Sequence, residues 1–115
     1  MEPELIVKLM VMSGPDDGME IILSHSKSGD PIPPGLLGRY TIGRRDNSDV
    51  CIPFDTLVSR LHATLQRRTD GLFLVDEGSR NGTFIGRRRV KDPESLDIGQ
   101  MFRVGQTWLR VQSIE

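Results

Sequence analysis

Three separated runs of this chain carry side chains suited to holding an anion: Gly43-Arg44, Ser59-Arg60-Leu61-His62 and Ser79-Arg80-Asn81-Gly82-Thr83. A guanidinium group is a planar fork of donors that can grip two phosphate oxygens at once, and a serine hydroxyl adds a short neutral donor. A carboxamide donates and accepts together, which suits the main chain of an extended peptide. Each run falls at what reads as a strand end, where loops on a rigid sheet carry recognition chemistry. Singly, each is weak. A strand-end arginine is ordinarily a solvated charge, and Asn-Gly between strands is the strongest short turn signal.

Other chemistries fit the residues less well. Ser59, His62 and Asp76 can be drawn as a triad, yet no Gly-x-Ser-x-Gly elbow is present and the strand pattern supplies no strand-to-helix turn. An enzyme is therefore not expected. His25 and His62 are the two histidines, and no Cys/His spacing suggests a metal site, so neither metal nor cofactor is called for. The single cysteine, Cys51, lies between Val50 and Ile52 and reads as a buried inert thiol. Without an internal disulfide, a reducing cytoplasm is the expectation. The longest apolar run lies within Leu5 to Met12 and is interrupted by Lys8, so no membrane partner is expected. Glu2, Pro3 and Glu4 do not open a signal peptide.

The net charge of −1 is unevenly placed. Between Arg39 and Val90, ten arginines stand against six acids, so the stretch holding all three runs is cationic and the remainder acidic. That points to a compact anionic partner rather than nucleic acid, because whole-domain basicity is absent. Arg67-Arg68 and Arg87-Arg88-Arg89 could track a nucleic-acid backbone, but one Trp, one Tyr and four Phe offer few stacking platforms.

The 115 residues suffice for one domain with one core. Period two recurs along the chain and helical periodicity does not. Leu5, Val7, Leu9 and Val11 alternate on a first strand, and Met19 to Leu23 reads as its return after Gly14-Pro15-Asp16-Asp17-Gly18. Ser24 to Leu37, with three Pro, reads as an exposed, mobile loop. Arg39 to Gly43 and Asp49 to Ile52 are strands. Leu61 to Arg67 puts Leu61, Ala63 and Leu65 inward, with His62 turned back to fix the loop by hydrogen bonds to its backbone. Leu72 to Val75, apolar on both faces, reads as a central, doubly covered strand. Two hairpins follow, about Gly86-Arg87 and Gly105-Gln106, with Trp108 on the Arg110/Gln112 face. About ten short strands between Gly/Pro/Asp-rich turns predict an all-β antiparallel sandwich with no substantial helix.

Taken together, Gly43-Arg44, then Ser59-Arg60-Leu61-His62, then Asp76-Glu77-Gly78-Ser79-Arg80-Asn81-Gly82-Thr83, the chain resembles the forkhead-associated (FHA) domain over nearly its whole length. The resemblance implies an eleven-stranded sandwich, a single domain over 1–115 with its core at about 5–114. Loops at one end of that sandwich bind phosphothreonine peptides without converting them. It implies Arg44 as principal phosphate ligand, Ser59 as hydroxyl donor, and Arg60 adding phosphate or peptide contacts. Arg80 stands where the family presents a backbone N–H to the phosphate, and Asn81 where it bonds the peptide main chain. Gly43, His62 and Gly82 are architectural. The implied partners are phosphothreonine-containing proteins, such as a Ser/Thr kinase or its substrate, met by a monomeric domain. Phosphate-independent docking is the alternative use of the same fold.

The chain departs from the family pattern in three places. Arg80 replaces a small residue, Gly86-Arg87-Arg88-Arg89 makes a basic hairpin where Asn-Gly is common, and the 24–37 loop is long.

Overall fold

The computed structural model describes residues 6–27 and 29–115. Leu5, expected on the inward face of the first strand, and Ser28 of the 24–37 loop lie outside the described residues. The strands are β1 (Val7–Val11), β2 (Glu20–Leu23), β3 (Gly38–Gly43), β4 (Val50–Cys51), β5 (Ala63–Arg68) and β6 (Gly71–Asp76). After them come β7 (Thr83–Ile85), β8 (Arg88–Arg89), β9 (Glu94–Leu96), β10 (Met101–Val104) and β11 (Thr107–Ile114). Among the described residues there is no helix, so none long and apolar enough to cross a membrane.

The strands form two sheets, ordered β2-β1-β11-β10-β7-β8 and β4-β3-β5-β6-β9. All pairings are antiparallel except β3 with β4, where Ile42 meets Val50 and Gly43 meets Cys51. The alternation read from the sequence becomes the core. Val7, Leu9 and Val11 of β1, with Phe102, Val104, Leu109 and Val111, are buried from the first sheet. Tyr40, Ile42, Leu65, Leu72 and Leu74 are buried from the second. Because successive side chains on a strand face opposite ways, this pattern fixes register: a one-residue slip would turn each apolar set outward. The chain is an all-β sandwich of eleven described strands.

Two expectations are corrected. Leu61 is 37% exposed, whereas His62 is fully buried. The strand begins at Ala63, so the alternation cannot be extended back through the turn, and His62 enters the interior because both its ring nitrogens find partners there. Leu72 and Leu74 face the core, but Phe73 and Val75 are only half-buried. The outer face of β6 is covered by a side chain rather than by a layer, with the Arg68 guanidinium 4.5 Å over the Phe73 ring.

The 24–37 loop is mostly exposed yet tied down at its ends. The Lys27 N–H donates to Asp49 Oδ1 at 2.6 Å and the Leu37 N–H to the Arg67 carbonyl at 2.7 Å. Asp49 also accepts from the Thr41 N–H at 2.8 Å, so one buried carboxylate fastens the loop to β3.

Candidate functional site

The three runs meet at one end of the sandwich. Arg44 follows β3, Ser59 precedes β5, and Arg80 and Asn81 lie between β6 and β7. All four line a cleft of about 310 Å³, walled between them by Thr56, Leu57 and Val58. Among the described residues, no acidic side chain lines it. Two guanidinium groups, a hydroxyl and a carboxamide therefore converge on one cleft.

The two front loops are bonded to each other at the backbone. The Arg44 N–H donates to the Ser59 carbonyl at 3.3 Å, and the His62 N–H donates to the Ile42 carbonyl at 2.8 Å. Gly43 allows this approach: a Cβ there would stand 1.9 Å from the Arg60 carbonyl oxygen, far inside contact distance. Its architectural role is the close packing of two segments of the chain, the end of β3 against the turn before β5.

His62 joins the front loops to the third. Its Nδ1 accepts the Ser59 N–H at 3.0 Å, and its Nε2 stands 2.8 Å from the Gly82 carbonyl. A nitrogen that accepts an N–H carries no proton, so the neutral ring holds its proton on Nε2 and donates it to Gly82. Gly82 has φ +90°, the left-handed region that favours glycine, and a Cβ there would lie 2.9 Å from the Phe84 ring. The expectation that the histidine ring fixes the loop through backbone bonds matches these contacts.

Ser59 Oγ accepts the Arg80 N–H at 3.2 Å, which leaves its hydroxyl proton to be aimed elsewhere. The Asn81 Nδ2 donates to the Leu57 carbonyl at 3.0 Å, so the carboxamide clasps the cleft wall. Arg60 is not among the residues of this cleft. It lines a neighbouring one with Arg39 and Arg45, so the structure brings Arg44, Ser59, Arg80 and Asn81 together and turns Arg60 aside.

Two carboxylates that sequence reasoning gave no supporting role hold the loops from beneath. Asp76 accepts the hydroxyls of Ser79 and Thr83, the latter at 2.7 Å, and the Gly78 and Ser79 N–H groups at 3.1 and 3.2 Å. Burial pushes its carboxyl up, but these hydrogen bonds outweigh burial and hold it below the ordinary 3.8. Asp55 is 5% exposed and accepts the Leu57 N–H at 3.0 Å, the Gln106 N–H at 2.7 Å and the Thr107 hydroxyl at 2.7 Å. It pins the cleft wall to the β10–β11 hairpin. The Asp76-to-Thr83 run is visible in sequence as turn chemistry. The bond of Asp55 to Leu57 is local turn chemistry, but nothing local marks its tie to Gln106 and Thr107, some fifty positions away.

The FHA domain family model matches residues 40–105. The oxoglutarate dehydrogenase inhibitor of Corynebacterium jeikeium (strain K411) is 31% identical over 104 residues, which cover 90% of this chain and 62% of that protein. The chain thus spans less than two thirds of that relative's length. A solved structure from a structural and functional analysis of phosphothreonine-dependent FHA domain interactions superposes with a TM-score of 0.73 at 26% identity, over 94% of this chain and 96% of that one. The FhaA FHA domain, crystallised in complex with the intracellular domain of Rv3910, superposes with a TM-score of 0.71 at 26% identity, over 92% and 99%. The family match runs from β3 to the β10–β11 turn, the stretch that builds the cleft and its anchors, and the chain belongs to the FHA-domain family.

Proposed function

We propose that this chain is a non-catalytic recognition module that binds phosphothreonine-containing segments of partner proteins in Ser/Thr-kinase signalling. The observation that carries the reading is the meeting of Arg44, Ser59 and Arg80 in one cleft with, among the described residues, no acidic side chain in its lining. A phosphothreonine brings about −1.5 to −2 charge at pH 7 and three strong acceptor oxygens. Arg44 is the principal phosphate ligand and Ser59 the hydroxyl donor, since its acceptor side is already engaged by Arg80. Arg80 adds charge at the rim, and Asn81 bonds the peptide main chain. Gly43, His62 and Gly82 support the site without touching the ligand. Nothing in the cleft calls for bond making or breaking.

The magnitudes are those of a modest binder. Two or three charge-assisted hydrogen bonds at about 1.5–3 kcal/mol each, together with contacts to the peptide main chain and less the cost of ordering the peptide, reach roughly micromolar affinity. The related structure concerned with phosphothreonine-dependent interactions supports the choice of threonine. Leu57 and Val58 of the cleft wall supply the apolar contact that one methyl needs, a preference over phosphoserine of about 1–3 kcal/mol.

Fluorescence anisotropy with a labelled peptide library tests the reading, each sequence made with phosphothreonine, phosphoserine and unmodified threonine. Saturable binding of the phosphothreonine form, lost on phosphatase treatment, is expected. A captured partner that survives phosphatase treatment undiminished would instead establish phosphate-independent docking.

A further inference from the structure

Beside the cleft of Arg44 and Ser59 lies a second, of about 140 Å³, walled by Arg39, Arg45 and Arg60 over a floor that includes Ser48. We propose that this second cleft takes another anionic side chain of the same phosphopeptide, a carboxylate or a second phosphate, some two to four residues from the phosphothreonine. The proposal rests on the phosphothreonine reading and goes beyond it, because none of its three arginines lines the first cleft.

The two clefts share a wall. The backbones at 43–45 and 59–60 touch, with the Arg44 N–H on the Ser59 carbonyl and no room for a side chain at Gly43. Neighbouring residues along each strip then serve opposite sides. Arg44 and Ser59 line the first cleft, and Arg45 and Arg60 line the second. This backbone contact fixes the spacing of the two sites. An extended peptide advances about 3.3 Å per residue, so two to four residues span a partition one double strip wide.

The charge of the second cleft is unbalanced. Among the described residues, Asp30, from the 24–37 loop, is the one acidic side chain of its lining against three guanidinium groups. Among the described residues Arg45 and Arg60 have no ion pair. Arg39 meets Glu77 only at 3.9 Å, and the same Glu77 oxygen already takes the Thr64 hydroxyl at 2.9 Å. Asp49, next to Ser48, has its oxygens engaged by the Lys27 and Thr41 N–H groups. Three arginines held around so small a space leave a positive site that an acidic group relieves.

The test is a titration series on the intact chain. A phosphothreonine peptide with neutral flanks is compared with peptides carrying one glutamate, or one further phosphothreonine, scanned through the positions on either side. One narrow set of positions should tighten binding about 5- to 10-fold, with the phosphate arm exceeding the glutamate arm if the site prefers a dianion. Arg45→Ala should remove that gain while leaving the neutral-flank peptide within about twofold, because Arg45 does not line the first cleft. Arg45→Glu should shift the preference at those positions to lysine. Arg87→Ala, outside both clefts, should change nothing. Equal affinities across the scan, or a gain that persists in Arg45→Ala, overturns the second site while leaving the first intact. Failure of every phosphopeptide to bind removes both.

Discussion

Ser59 and His62 hold each other in a fixed relation: the serine N–H donates to the buried imidazole at 3.0 Å, so the hydroxyl that faces the cleft is anchored from behind. The other ring nitrogen reaches the Gly82 carbonyl, 20 residues further along the chain. One neutral side chain therefore sets the distance between two loops before any ligand arrives. Such preorganisation lowers the ordering cost of binding.

Arg44 stands in the cleft without an ion-pair partner among the described residues, so its loss costs binding and not folding. Arg44→Ala should weaken phosphopeptide binding by at least about tenfold, the loss of one charge-assisted contact. Its thermal midpoint should stay at the wild-type value. Anisotropy and a circular-dichroism melt on the same sample check both halves.

Affinity should fall with pH in a range set by the ligand. The second phosphate ionisation lies near about 6, so passing from pH 7.5 to 5.5 cuts the dianion to roughly a quarter and weakens binding about fourfold. A difluoromethylene phosphonate analogue, more acidic than the phosphate, should hold its affinity over the same range. Calorimetric titrations of the two peptides make the comparison.

Asp55→Ala removes the acceptor of the Leu57 and Gln106 N–H groups and of the buried Thr107 hydroxyl. The expected cost is about 3 kcal/mol of stability, at about 1–3 kcal/mol for each donor left unpaired and some relief by water. Peptide binding should weaken as well, because the wall at 56–58 loses its anchor. Urea unfolding measures the first effect and anisotropy the second.

Asp76 gives the fold an acid limit. Its folded-state pKa is depressed, so its contribution is complete above the unfolded value of 3.8 and is lost as pH falls through the lower folded value. The wild-type melting temperature should therefore fall steeply below about pH 4. Asp76→Asn should melt lower at neutral pH and show a shallower slope in acid. Melts between about pH 2 and pH 5 separate the two.

The sequence was most legible where side-chain type and strand periodicity agreed. Val7, Leu9 and Val11 alternate and face the core, and Arg44, Ser59, Arg80 and Asn81 at strand ends share one cleft. It misled where a turn interrupts the alternation. Leu61 shares the phase of Ala63 and Leu65 but lies before the strand, and it is the histidine with two backbone partners that enters the interior. β9, following Asp92-Pro93 and only three residues long, offered too little pattern to be read at all. The family resemblance implied phosphate or peptide contacts for Arg60, yet it lines the neighbouring cleft with Arg39 and Arg45, because the turn before β5 carries Ser59 and Arg60 to opposite sides. The tie of Asp55 to the β10–β11 hairpin could not be read, because partners some fifty positions away leave no local signature.

Because Asp55, His62 and Asp76 carry the loops while Thr56, Leu57 and Arg80 face outward into the cleft, the frame and the reading surface are separate sets of residues. Exchanges at the outward positions leave every anchor bond in place. Selection can thus retune which phosphorylated sequence is preferred in single steps, without passing through an unfolded intermediate.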